Sequence, residues 1–129
     1  MKTLRVGIAS YDQMKARTVA IARGEYRPAA GEPKVWFTSA ESFARVLSDR
    51  NRALLGIIAE SAPESLARLA ELSGRKKSNL SRTLKTMERY GFVQLVRGVR
   101  GSVAPRVPYH RISLTLPLST PGRVGAKAA

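Results

Sequence analysis

The chain has 129 residues, of which 43% are hydrophobic, and this is enough apolar material for the core of one ordinary domain. No apolar run approaches the roughly 20 residues of a membrane-spanning helix, so we expect no integral membrane protein. The chain contains no cysteine, which excludes disulfides, thiolate metal sites and a cysteine nucleophile from these residues. Polar residues interrupt the opening segment within a few positions, and we therefore expect no secretory signal and a cytoplasmic location.

Basic side chains are concentrated in the second half of the chain. Lys and Arg number 23 against 9 Asp and Glu, and the net charge is +14. Residues 1–74 hold 11 basic and 8 acidic side chains, whereas residues 75–129 hold 12 basic side chains and one acid, Glu88. A segment almost free of acids creates a field suited to phosphates. We expect the second half to bind a polyanion; a basic surface that serves only solubility is the alternative.

The first 37 residues predict a small extension with a strand, a helix and a second strand. Apolar residues alternate over residues 4–8, helical spacing follows over 11–23, and Gly24 is a suitable stop. The segment KVWF, residues 34–37, favours a strand. This β-α-β-like module is too small for a robust core, so we expect it to serve as a dimerisation module.

Four helical segments are predicted between residues 39 and 91. Ser39 and Asp49 are candidate capping residues of the first two helices. Pro63 suits the first turn of the third helix, because proline lacks the N–H that this turn leaves unpaired. Ser78 is the predicted start of the fourth helix and Gly91 its end.

The order of elements is that of a winged helix-turn-helix. A strand over residues 92–97 follows the fourth helix, then a loop rich in glycine and proline, and then a clearly alternating strand over 109–116. We therefore predict an α+β, mainly α fold with a winged helix-turn-helix DNA-binding domain over residues 38–116. Residues 117–129 lack a periodic pattern and are predicted to form a flexible tail.

The fourth helix has one apolar side and one basic side. At about 100° per residue, Leu84 and Met87 lie within about 40° of Leu80. Gly74 permits a tight turn before this helix. A helix of this kind packs its apolar side on the domain and inserts its basic side into the major groove. The opposite side carries Ser78, Arg82, Lys85 and Arg89, with Asn79 and Thr86 on one flank.

The segment SLARLAELSGRKKSNLSRTLKTMERYGFVQLVRG resembles the helix-turn-helix and wing entry of MarR-type winged-helix transcription regulators. The wider chain is similar to a group of small predicted regulators, some of which are associated with toxin–antitoxin pairs. The resemblance implies a DNA-binding regulator. The matching positions are Leu69, Ala70, Gly74, Ser81, Arg82, Leu84, Glu88, Gly91, Phe92 and Val93.

Individual side chains of the basic segment have more than one interpretation. Arg82 is the best candidate for a guanine contact, with a phosphate contact or a solvated charge as the alternative. Asn79 is a candidate adenine reader or a helix cap, and Ser78 is a helix cap or a phosphate ligand. Arg100, next to a glycine in the loop, is the candidate for insertion into the minor groove, with a mobile loop that makes no such contact as the alternative. The complete predicted DNA-binding set is Lys76, Lys77, Ser78, Asn79, Ser81, Arg82, Lys85, Thr86, Arg89, Arg97, Arg100 and Arg106.

The sequence gives little support for catalysis. His110 is the single histidine, and no spacing of histidines or carboxylates suggests a metal site. Neither a Walker loop nor a G-x-G-x-x-G motif is present. We therefore expect no enzyme, no cofactor and no metal.

The predicted function is that of a sequence-specific regulator of transcription that binds double-stranded DNA. We expect a homodimeric repressor with a recognition helix at about residues 78–90 and a basic wing at about 97–108. One alternative is an antitoxin that binds a protein toxin and represses its own operon. A second alternative is an RNA-binding module, which the recognition helix disfavours because the major groove of A-form RNA is too narrow for a helix.

Overall fold

The computed structural model describes residues 2–118, and they confirm the α+β class. Residues 119–129, most of the predicted tail, lie outside the described part. In chain order the elements are β1 (Thr3–Ile8), α1 (Tyr11–Ala22), β2 (Val35–Phe37), α2 (Ala40–Val46), α3 (Asp49–Ser61), α4 (Leu66–Ser73), α5 (Lys77–Arg89), β3 (Gln94–Arg97), β4 (Val103–Arg106) and β5 (Arg111–Thr115).

The chain divides into two compact units, whose boundary falls within α2. The sheet unit holds Leu4–Phe43 and the described residues from Ile112 onward, and the helical unit holds Ala44–Arg111 together with residues 2–3. The sheet unit contains a three-stranded sheet in the order β2-β1-β5, and the helical unit contains a two-stranded sheet of β3 and β4.

The sheet unit begins with the predicted strand-helix-strand module. β1 and β2 are parallel, with Val6 opposite Val35 and Ile8 opposite Phe37. Ser10 caps α1, because its hydroxyl accepts from the Gln13 amide at 3.1 Å while the Gln13 side chain accepts from the Ser10 amide at 2.8 Å. The β-α-β prediction is therefore confirmed.

A half-buried cation holds the loop between α1 and β2 in the sheet unit. The Arg17 guanidinium lies 5.8 Å from the centre of the Tyr26 ring and 5.3 Å from that of Trp36, and it pairs with Glu32 at 2.9 Å. Burial alone would raise the pKa of Glu32, but hydrogen bonds from Tyr26, Arg17 and the Ala29 amide hold that pKa below its ordinary value. The loop is thus held against α1 by an ion pair as well as by cation–π contacts.

The helical unit is built around apolar faces of its helices and hairpin. α4 contacts α3, α5 and β4, and α5 also contacts β3. Gly74 ends α4 with a φ of 73°, which side chains other than glycine rarely adopt, and its amide donates to the Ala70 carbonyl. Burial by these contacts is almost complete for Leu54, Leu55, Ile58, Leu69, Leu80, Leu84, Met87, Phe92 and Val93.

Three of the four helices predicted between residues 39 and 91 start at positions other than the predicted ones. The N-cap of α3 is Ser48, not Asp49, and that of α4 is Ser65, so Pro63 lies outside the helix. The helix α5 begins at Lys77 after Lys76, whose side chain forms no capping bond. The serine hydroxyls of α3 and α4 accept from the amide three residues later, as capping requires. The prediction for Ser39 is confirmed, since its hydroxyl accepts from the Ser42 amide at 3.0 Å.

The predicted long loop contains a strand. β4 pairs antiparallel with β3, with Arg97 opposite Val103 and Gln94 opposite Arg106. Pro105 lies inside β4. Proline has no N–H to donate, and it is tolerated here because each strand of a two-stranded sheet has one edge without a partner strand. The sequence predicts the alternating strand at residues 109–116 as the next strand after β3. In the structure the strand that follows β3 is β4, and the alternating strand is β5, which lies beside β1.

We expect Gly7→Ala to destabilise the sheet unit, because the added Cβ would lie 2.6 Å from the Trp36 ring and 2.9 Å from Pro33. Overpacking of this kind costs about 1–3 kcal/mol. Gly31→Ala is the matched control, since nothing lies within 4 Å of its Cβ position. Thermal unfolding of both variants measures the effect, and equal midpoints for the two variants would contradict the packing described for Gly7.

Candidate nucleic-acid interface

Helix α5 presents opposite faces to the protein and to solvent. Leu80, Leu84 and Met87 are at most 1% exposed, so the rotation of the helix about its axis is fixed. The side chains predicted on the other face are exposed along four turns of the helix. They are Lys77, Ser78, Asn79, Arg82, Lys85 and Arg89, with Lys76 exposed in the preceding turn.

The remaining predicted residues of α5 are less accessible. Ser81 and Thr86 are half-buried. The Thr86 hydroxyl donates to the Arg82 carbonyl at 3.3 Å, a bond within the helix that Thr often makes. These two side chains therefore border the exposed basic face and do not form its centre.

The charge of the helical unit is strongly positive. Between residues 44 and 111 there are 14 basic and 5 acidic side chains, a net charge of +9. Two of the acids form exposed ion pairs within their own helices, Asp49 with Arg52 and Glu71 with Arg68. Among residues 2–118, no ion pair is formed by an exposed cation of α5. These cations are available to an external anion.

The hairpin of β3 and β4 carries further exposed cations. Its turn is closed by the Gly98 amide, which donates to the Ser102 carbonyl at 2.7 Å, and by the Ser102 amide, which donates to the Val99 carbonyl at 3.2 Å. At the tip Arg100 has a φ of 60°, in the left-handed region where residues other than glycine are uncommon. Arg97 and Arg100 are both exposed, so the hairpin directs charge outward.

Arg106 differs from the other predicted hairpin residues. It is half-buried, and its Nη1 donates to the carbonyls of Pro63 at 2.8 Å and Pro105 at 2.7 Å. Pro63 precedes α4, so the bond joins β4 to the segment between α3 and α4. The structure therefore gives Arg106 a role within the protein and does not place it with the exposed cations.

The structure adds a polar cluster that the sequence did not reveal, centred on Arg75 in the turn before α5. The guanidinium donates to Asn79 Oδ1 from Nε at 2.9 Å and from Nη2 at 2.7 Å. It also donates to Asn51 Oδ1 at 3.0 Å and to Thr83 Oγ1 at 3.2 Å. Asn51 in turn donates through Nδ2 to the Val46 carbonyl at 2.9 Å. We call these four side chains, Asn51, Arg75, Asn79 and Thr83, the Arg75 cluster.

The Arg75 cluster holds its cation without an acid. All four guanidinium bonds end on neutral oxygens. Burial, followed by the nearby charge of Arg50, lowers the pKa of Arg75 from its ordinary value. Among residues 2–118 Arg75 forms no ion pair, so it adds to the positive charge of the turn before α5. The sequence offered no signal for this, because Asn51 lies 24 residues before Arg75.

The described residues provide no cluster of three or more His, Asp or Glu side chains that could hold a metal ion. None of the helices in residues 2–118 has the length and apolar character needed to cross a membrane. The chemistry of the surface formed by α5 and the hairpin is that of hydrogen-bond donors and positive charge, which fits the phosphates and base edges of a nucleic acid.

Comparison with protein families gives one match that covers more than half of the chain. The model of the family HVO_A0114 matches residues 46–114, which include α3, α4, α5 and the hairpin. The chain belongs to this family. No curated protein and no solved structure matches the chain.

Arg106→Ala should destabilise the helical unit by about 1–2 kcal/mol, because the Pro63 carbonyl loses its charged donor. Arg97→Ala is the control, since it removes the same group from an exposed position of the hairpin. Urea unfolding of the two variants distinguishes the roles. A loss for Arg97→Ala as large as that for Arg106→Ala would show that the Pro63 contact contributes no stability.

Proposed function

We propose that this protein is a sequence-specific regulator of transcription that binds double-stranded DNA through α5 and the hairpin. The observation that carries the proposal is the two-sided character of α5, which is buried through Leu80, Leu84 and Met87 and exposes unpaired cations on its other side. A major groove accepts one helix, and a helix fixed in rotation presents a defined set of side chains to the base edges.

The order and contacts of the helical unit support a winged helix-turn-helix as the finer description of the fold. α4 and α5 are in contact across the Gly74 turn, and the β3–β4 hairpin follows α5 directly. In this proposal α5 is the recognition helix and the hairpin is the wing. The resemblance of residues 65–98 to MarR-type regulators points the same way.

Within the proposal, Arg82 is a base-reading residue and Arg100 is a backbone or minor-groove contact. Arg82 lies in the second turn of α5 on the exposed side, where side chains reach base edges. Arg100 lies at the tip of the hairpin turn, and a wing side chain in that position can contact the backbone or the minor groove. Lys76 and Lys77 at the start of the helix are assigned to phosphates.

The biological setting of the proposal follows the sequence-based expectations. Repression, homodimerisation and a cytoplasmic location stay predictions, as do the alternatives of an antitoxin and an RNA-binding module. Double-stranded DNA is favoured over RNA because α5 has the shape required by a wide major groove. A structured RNA of equal length, added as competitor at fixed salt, distinguishes the two nucleic acids.

The proposal predicts different effects of two arginine substitutions on DNA binding. Arg82→Ala should cost about 1–3 kcal/mol on a selected site and relax the preference at one base pair. Arg100→Ala should weaken binding to selected and scrambled duplexes alike and reduce the slope of log affinity against log salt by about one unit. Fluorescence titrations of the full chain on both duplexes at two salt concentrations measure these effects.

Arg27→Ala is the control for charge alone, because Arg27 is exposed and lies in the sheet unit. It should leave the base preference unchanged. Retention of the full base preference by Arg82→Ala, with equal losses on both duplexes, would contradict the assignment of Arg82. Binding that does not respond to salt would contradict the assignment of the whole surface.

A further inference from the structure

The amide of Asn79 is held in one orientation by Arg75. A guanidinium only donates hydrogen bonds, so the atom that faces Arg75 Nε and Nη2 at 2.9 and 2.7 Å has to be the Asn79 carbonyl oxygen. Both donors belong to one guanidinium, which therefore holds this oxygen through a forked pair of hydrogen bonds. The Asn79 side chain is exposed, and the hydrogen bonds that it forms among residues 2–118 both end on Oδ1, which leaves Nδ2 to solvent.

Arg75 itself has little freedom to release Asn79. Its remaining bonds reach Asn51 on α3 and Thr83 one turn further along α5. Asn51 is fixed in turn by its bond to the Val46 carbonyl. The orientation of the Asn79 amide is thus set by contacts with three segments of the helical unit before any ligand binds.

We infer that Asn79 acts as a pure hydrogen-bond donor toward DNA and reads guanine, and that Arg75 is the positioning residue that makes it so. The inference rests on the proposed function and adds the identity of the base. Guanine presents two adjacent acceptors, O6 and N7, in the major groove, and the free NH₂ of Asn79 can donate to them.

The usual contact of asparagine with adenine is disfavoured here. That contact needs the carbonyl oxygen to accept from adenine N6 while the NH₂ donates to N7. With the Asn79 oxygen occupied by Arg75, the adenine N6 donor would face the Asn79 NH₂, and two donors would oppose each other. The sequence-based expectation that Asn79 reads adenine is therefore replaced by a preference for guanine.

The test is a selection of bound duplexes from a random-sequence pool by the full chain, repeated with Asn79→Ala and Asn79→Asp. The base pair whose preference disappears with Asn79→Ala identifies the position that Asn79 reads. We expect the wild-type chain to select guanine over adenine there by about tenfold. We expect Asn79→Asp to select cytosine, because one carboxylate oxygen can stay on Arg75 while the other accepts from cytosine N4.

Arg75→Met tests the positioning role, because methionine keeps an unbranched side chain but cannot donate. It should free the Asn79 oxygen and shift the preference from guanine to adenine. Lys76→Met is the matched control, since it removes the neighbouring charge without a bond to Asn79; it should lower affinity for all duplexes and keep the guanine preference. Thermal unfolding checks that each variant is folded, and if Arg75→Met is not, the two Asn79 variants still decide.

The outcomes separate this inference from the proposed function. A wild-type selection that enriches a site with adenine at the Asn79 position would overturn the inference alone, as would a site with no position that depends on Asn79. A wild-type selection that enriches no sequence would overturn the proposed function and the inference with it.

Discussion

The burial of Leu80, Leu84 and Met87 is the constraint on which the surface of the helical unit depends. Each buried side chain of this size contributes about 1.5–3 kcal/mol relative to exposure, and the three together leave α5 one favourable rotation. That rotation directs every exposed cation of the helix to the side away from the core. The basic surface is thus a consequence of apolar packing, and a change in the core would disturb it even where no charge is altered.

Apolar packing positions α5, and the Arg75 cluster in addition orients the Asn79 side chain. Apolar contacts fix where a helix lies but do not decide how an exposed amide is turned. The guanidinium of Arg75, bonded to neutral oxygens on α3 and α5, orients Asn79 at the surface. Arg75 is half-buried, and its four hydrogen bonds to neutral oxygens compensate for the hydration that its guanidinium loses there. In the proposed function, the hydrogen bonds of the Arg75 cluster also determine which base Asn79 selects.

The sequence predicted those features that depend on local patterns. The apolar spacing of α5, the left-handed turn at Gly74 and the strands that contain Val6 and Val35 follow from periodicity and glycine chemistry, and the structure confirms them.

Features that depend on contacts between residues far apart in the sequence were not predicted. Proline at 105 argued for a loop, although its partner Leu95 places it in a strand. Arg75 and Asn51 are 24 residues apart, and Arg106 reaches Pro63 across 43 residues. No local sequence pattern indicates such contacts.

DNA binding through α5 and the hairpin is tested by amide NMR spectra of the full chain with and without a selected duplex. We expect the largest shift changes in Lys77–Arg89 and in the hairpin turn at residues 98–102, while the amides of β1 and β2 change little. Changes concentrated in Leu4–Phe43, or none in α5 at saturating duplex, would contradict it.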